Sequence, residues 1–193
     1  MIATRNPGKV REMEAALGGL AFRVLSLAEL GRELPEVEES GQTLLENAQL
    51  KARAYAKASG LLALADDSGL EVDALDGAPG IHSARWAGLQ ATDAENNAKL
   101  LAELAALGDP RRTAVFRTVM VLAEPLGREE WVAGRCEGLV PRAPQGNGGF
   151  GYDPLFFLPA AGRTFAQMDL EEKNRFSHRG DALRRARLML ERW

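Results

Sequence analysis

One cysteine, two histidines and no long apolar run narrow the reading of this 193-residue chain before any motif is considered. Cys136 has no partner for an internal disulfide and no ligand-spaced thiol, so between Arg135 and Glu137 it reads as a packing residue of a strand. His82 and His178 lie far apart without H-x-x-x-H spacing, which argues against a zinc centre. The lack of long apolar runs argues against a membrane-spanning helix, and no signal-peptide pattern opens the chain, so a cytoplasmic location is expected. A positive excess is missing too. With 24 Lys and Arg against 27 Asp and Glu, the net charge of −3 offers no field for bulk nucleic-acid or membrane binding. The basic cluster Arg184, Arg185 and Arg187 then reads as the solvated face of a C-terminal helix. What is present, 46% hydrophobic and 26% charged residues, suits one sizeable bilobed domain over 1–193 with a full core.

The most informative junction is the apolar run 61–65, which reads as a short strand buried on both faces and ends in Asp66, Asp67, Ser68 and Gly69. Two adjacent carboxylates at such a strand end are costly unless a cation meets them. A divalent metal is the usual candidate, because strand ends of open α/β sheets are where ligands bind. The same four residues are also good turn chemistry.

Elsewhere the pattern alternates. Residues 1–5 read as a very short strand, and Asn6 with Pro7 supplies an N-cap and a first-turn proline. Val10, Met13, Ala16 and Leu17 make that helix's apolar stripe, which stops at Gly18 and Gly19. Residues 22–25 read as a second strand, and 34–41 as acidic and irregular. Thr43 and Glu46 form a capping box for a long helix to about Ser59, and Thr92 with Glu95 opens another. Residues 113–123 and 130–139 read as a long antiparallel hairpin, which breaks a purely parallel pattern. Two Gly/Pro-rich loops, 76–88 and 141–153, and a last helix from Ser177 complete the chain. The expected fold is α/β: a long twisted mixed sheet with flanking helices and two lobes around a central cleft.

Four constellations carry candidate chemistry. Thr4, Arg5, Asn6, Pro7, Gly8 and Lys9 run from strand into helix N-terminus, where backbone amides and the dipole favour an anion. Lys9 is an odd first-turn residue for a helix unless an anion faces it. The segment is no Walker A loop, since the leading glycine is missing and Val10 follows the lysine. Glu38 and Glu39 precede the long helix and offer a second carboxylate to Asp66 or Asp67, while Asn47 and Lys51 share one face of that helix. Gly146, Gly148 and Gly151 satisfy G-x-G-x-x-G, but so late in the chain, running into Pro154, that a dinucleotide site is rejected. That loop still presents Phe150 and Tyr152 for stacking beside Asp153. Lys173, then Ser177, His178 and Arg179 at a helix start, supply donors for a carbonyl or phosphate oxygen.

In combination and order these segments resemble the inosine triphosphate pyrophosphatase family, with matching motifs from residue 3 to 180. The match includes Ala3 to Lys9 with Glu12, Glu38 to Thr43 with Asn47 and Lys51, Ala65 to Leu70, Gly77 to Ile81, Gly148 to Pro154, and Lys173 with Ser177 to Gly180. The resemblance implies a homodimer that hydrolyses ITP, dITP and XTP to the monophosphate and pyrophosphate with Mg²⁺. It implies that Thr4, Arg5, Asn6, Pro7, Gly8 and Lys9 hold the triphosphate. Asp67 becomes the catalytic carboxylate and a metal ligand, Glu38 its companion on Mg²⁺, and Lys51 a catalytic lysine beside the phosphates. Ser68 touches substrate; Phe150, Gly151, Tyr152 and Asp153 cradle the base; Lys173, His178 and Arg179 read the purine edge. A pyrophosphatase of the septum-formation-inhibitor type, with other base preference, is the alternative. The chain departs from the family pattern in its short opening strand at Met1 and Ile2, and in His82, where an aromatic is frequent.

Overall fold

Asn6 starts the first helix as its sequence position requires: its side-chain oxygen accepts from the amides of Gly8 and Lys9, and Pro7 follows at the first helical position. The structure, a computed structural model, describes residues 1–31, 33–108 and 111–193. Its helices are α1 (Pro7–Leu17), α2 (Leu44–Ser59), α3 (Asp93–Ala106), α4 (Leu170–Phe176) and α5 (His178–Glu191). Thr43 caps α2 by accepting from the Glu46 amide, and the left-handed Gly60 ends it. A full capping box of Thr92 and Glu95 opens α3.

The strands are β1 (Ala63–Val72), β2 (Pro79–Gly80), β3 (Thr113–Ala123), β4 (Glu129–Leu139), β5 (Phe157–Leu158) and β6 (Arg163–Thr164). They form one sheet in the order β2-β1-β3-β4-β5-β6, and β1–β2, β4–β5 and β5–β6 pair antiparallel. Ile2 adds parallel bridges to Leu64 and Ser26, so the parallel component of the sheet is confined to these contacts among the described residues.

The chain divides into two compact units. The first comprises Met1–Asp67, Thr118–Gly134 and His178–Trp193. Its segments of β1 and β3 are buried on both faces, and the period of two sorts their side chains. Leu64, Met120 and Leu122 pack with Met13 and Leu17 of α1 and with Leu183, Ala186 and Met189 of α5. Ala63, Ala65, Val121 and Ala123 pack instead with Ala48, Ala52, Tyr55 and Ala56 of α2. The second unit comprises Ser68–Arg117 and Arg135–Ser177. Its core joins Leu70 and Val72 of β1 to Leu100 and Leu104 of α3, around the clustered rings of Phe116, Phe156 and Phe165.

One glycine decides how α5 is seated. A Cβ on Gly134 would lie 2.1 Å from the carbonyl oxygen of His178 and 2.6 Å from the amide nitrogen of Ala182, both backbone atoms. Strand β4 and α5 therefore meet backbone to backbone, and no side chain fits between them. Gly134→Ala is expected to destabilise the fold by about 1–3 kcal/mol through overpacking, read as a lower urea midpoint at unchanged m-value.

Three local expectations are corrected. The strand expected over 61–65 begins later and runs on through Asp66, Asp67, Ser68 and Gly69 to Val72, because the turn chemistry of those residues yields to tertiary partners of both carboxylates. At Gly69 a side chain would collide with the carbonyl of Gly80 on β2, at 2.4 Å from an added Cβ; the glycine is there for strand approach, not for a turn. Residues 22–25 form no strand, and only Ser26 makes a bridge. A separate short helix, α4, precedes the last one, with Ser177 extended between them.

Candidate active site

Asp66 and Asp67 are neighbours on β1, so the strand sends their side chains to opposite faces. Asp67 turns to the α2 face. There Asn47 Nδ2 donates to its Oδ2 at 3.2 Å, and Lys51 Nζ lies 3.6 Å from its Oδ1. Asn47 and Lys51 are one helical turn apart, which brings both to the same carboxylate. Asn47 Oδ1 in turn accepts the Gly41 amide at 2.8 Å, and this ties the irregular acidic segment down beside Asp67. Glu39 from that segment accepts from Lys51 Nζ at 2.5 Å. Thr118 Oγ1 donates to the Asp67 carbonyl at 3.0 Å and fixes the strand beneath.

The electrostatics of this group are not those of a plain salt bridge. Burial pushes the Asp67 carboxyl up, and repulsion from Glu39 and Asp66 adds to it, while Lys51 and Lys9 pull the other way without prevailing. Lys51 is also raised: burial works against its charge, but the attraction of Asp67, Asp66 and Glu39 outweighs it. Both partners move up because burial dominates the aspartate and summed carboxylates dominate the lysine. The folded state thus binds the Asp67 proton more tightly than the unfolded chain does. This contribution weakens stability as pH rises from the ordinary aspartate range through the raised value. Lys51→Met removes the largest opposing attraction, so the Asp67 carboxyl rises further. The Asp67 carboxyl titration, followed by carboxyl-carbon NMR, is expected to shift to higher pH in that variant.

On the other face, Asp66 meets Lys9 Nζ at 2.9 Å and Arg179 Nε and Nη2 at 3.4 Å each. Burial alone would raise Asp66, but Lys9, Arg179 and Lys51 together hold it far below the usual carboxylate range. Lys9 is lowered, chiefly by burial and despite Asp66. The cation that the sequence demanded for this carboxylate is therefore supplied by the protein itself.

At the start of α1 the amides of Gly8 and Lys9 already bond to Asn6, and Pro7 has no N–H. The expected row of open amides is thus closed by the cap. What remains for an anion is the Lys9 ammonium and the exposed Arg5, whose Nη2 donates to the Leu34 carbonyl at 2.6 Å. Thr4 Oγ1 accepts the Asn6 amide at 3.3 Å.

In the second unit, Asp153 organises the glycine-rich loop. Its Oδ2 accepts the Phe150 amide at 2.9 Å and pairs with the buried Lys173 ammonium, which also lies 4.5 Å from the Phe150 ring centre. A side chain on Gly149 would strike that carboxylate. Tyr152 is buried and donates to the Ser83 carbonyl at 2.9 Å, and burial pushes its hydroxyl pKa up. Gly151 is anchored on both sides, its amide to Asp93 at 2.6 Å and its carbonyl to Asn97 at 3.0 Å. Of the two aromatics, Phe150 is half-buried and Tyr152 is buried. Ser68 follows Asp67 on β1 and is partly buried.

Glu38 is exposed, and its neighbour Glu39 is the carboxylate that reaches Lys51. The Arg179 guanidinium is buried against Glu12 and Asp66; His178, also buried, opens α5. Asn47 and Glu12 stood in the matching motifs with no role assigned to them, and Thr118 carried no signal in the sequence.

Fold and site together define an α/β protein whose strand β1 carries opposed carboxylates, one neutralised by internal cations and one held in a titratable, lysine-flanked setting. The chain belongs to the Ham1 family, which it matches over residues 1–188. It is 55% identical over 184 residues to the dITP/XTP pyrophosphatase of Thermus thermophilus, covering 95% of this chain and 87% of that one. It is 51% identical to that of Desulforamulus reducens, covering 100% and 95%. Among solved structures, a HAM1 protein from Coxiella burnetii superposes with a TM-score of 0.89 at 43% identity, covering 100% of this chain and 98% of that one.

Proposed function

We propose that this protein hydrolyses deaminated purine nucleoside triphosphates, dITP, ITP and XTP, to the monophosphate and pyrophosphate. The observation that carries the chemistry is Asp67, buried, raised and flanked by Lys51 and Glu39. A buried carboxylate flanked by two lysines is suited to orient an attacking water or to hold a metal ion. Lys51 and Lys9 supply positive charge for the phosphates and the pyrophosphate leaving group. The names of relatives at about half identity over nearly full length support the substrate class.

The donor set fits Mg²⁺. No group of three or more His, Cys, Asp or Glu converges among the described residues; the carboxylates at Lys51 are Asp67 and Glu39. One or two carboxylates completed by water and substrate phosphate is the usual arrangement for this hard cation. When bound, it would neutralise phosphate charge; Asp67 and Glu39 would hold it, and Lys51 would give up its bond to Glu39 in favour of phosphate. By the sequence resemblance, Phe150 would stack on the base, and Lys173, His178 and Arg179 would favour the C6 carbonyl of inosine and xanthosine over the adenosine amine. A homodimer in the cytoplasm belongs to the same reading and rests on the sequence resemblance.

The test is pyrophosphate release from dITP, XTP, dATP and dGTP, with Mg²⁺ and after chelation. Release from the first two alone, lost on chelation, is the expected result. Comparable release from all four would replace this reading with a general nucleotide pyrophosphatase.

A further inference from the structure

Lys9 and Glu12 stand three residues apart on α1, on the same face of the helix. A chain of charge contacts joins them: Lys9 Nζ lies 2.9 Å from Asp66 Oδ2, Arg179 Nε and Nη2 each lie 3.4 Å from that same oxygen, and Arg179 Nη1 donates to Glu12 Oε2 at 2.5 Å. The side chains of Glu12, Arg179 and Asp66 are no more than 3% exposed.

The unequal distances are informative. An arginine facing a carboxylate closes into a fork at about 2.7–2.9 Å when nothing opposes it. Here the guanidinium is drawn to Glu12, and its contact with Asp66 is stretched. Asp66 Oδ2 is thereby left at hydrogen-bond distance for the lysine.

We propose that Glu12 is a positioning residue for Lys9: by holding Arg179 back, it reserves Asp66 to orient the Lys9 ammonium toward the triphosphate. The inference rests on the reading that Lys9 takes up phosphate charge. An ammonium carries three donors, so one bond to Asp66 fixes its direction and leaves two for phosphate oxygens. Without the Glu12 charge, Arg179 closes on Asp66 and the lysine loses its anchor. Glu12 reaches no substrate itself; it works through Arg179 and Asp66.

A double-mutant cycle tests this, with dITP as substrate and thermal melting as the check of folding. Glu12→Gln is expected to lower kcat/KM about tenfold or more, mostly through KM, in the otherwise native protein. In a Lys9→Met background the same change is expected to alter kcat/KM by less than about twofold, since the lysine it positions is gone. Glu12→Asp keeps the charge and is expected to recover part of the loss; it carries the same cycle should Glu12→Gln fail to fold. Equal losses in both backgrounds would make Glu12 merely structural and overturn the proposal, as would full activity of Glu12→Gln. A Lys9→Met protein as active as the native one would instead overturn the phosphate role of Lys9, and this inference with it.

Discussion

Asp67→Asn is expected to lower pyrophosphate release from dITP and XTP by about 10²–10⁴-fold while leaving the fold intact, since general-base catalysis is commonly worth that much. The substitution is nearly isosteric, and the Asn47 amide that donates to Asp67 Oδ2 can still meet an amide oxygen. Stability should change little or rise. The native aspartate is buried and raised, so holding it ionised works against folding at neutral pH, and the amide removes that cost. Loss of turnover with a preserved or higher melting temperature is the combination to look for. A variant that loses activity only because it unfolds would show the opposite melting shift. The mutation separates the two adjacent carboxylates as well: Asp66→Asn should damage stability, because its ionised form is what Lys9 and Arg179 hold.

Arg179→Met is expected to cost about 3–5 kcal/mol of stability at neutral pH, the range found when one partner of a buried ion pair is removed. The guanidinium bridges Glu12 and Asp66, both buried, and its loss leaves two carboxylates with less positive charge nearby. The sign of the pH dependence follows. Asp66 is held below its ordinary range in the native fold, so its contribution is present above that range and is lost as pH falls through the folded value. The deficit of the variant should therefore be greatest near neutrality and shrink on acidification, as the stranded carboxylates take up protons. Urea unfolding at several pH values measures this directly. A deficit independent of pH would mean that Arg179 acts by packing its stem and not by charge.

Much of this protein was legible before any fold was known. Asn6 with Pro7, Thr43 with Glu46 and Thr92 with Glu95 are local signals, and each starts a helix where it stands, because a cap needs only residues within one turn. The hairpin of β3 and β4 follows from period-two patterning and a turn, which are equally local. Asp67 and Lys9 were legible as candidates because a buried carboxylate or a first-turn lysine is costly enough to demand a reason, and Lys51 because it shares a helix face with Asn47.

What the sequence alone could not determine is which partner meets which charge. Asp66 and Asp67 are identical in type and adjacent. Only the pleat of β1 sends one toward α1 and α5 and the other toward α2, and only those helices decide that the first is pinned and the second titratable. The same holds for Glu39 over Glu38, which are adjacent in the chain, and for Arg179, whose partners are 113 and 167 positions away. Gly134 carries no motif at all, and its meaning appears only where a helix backbone rests on it. Local conformation is set by interactions within a few residues, whereas the state of a buried charge is set by every charge packed within several ångströms of it, and that neighbourhood exists only in the folded chain.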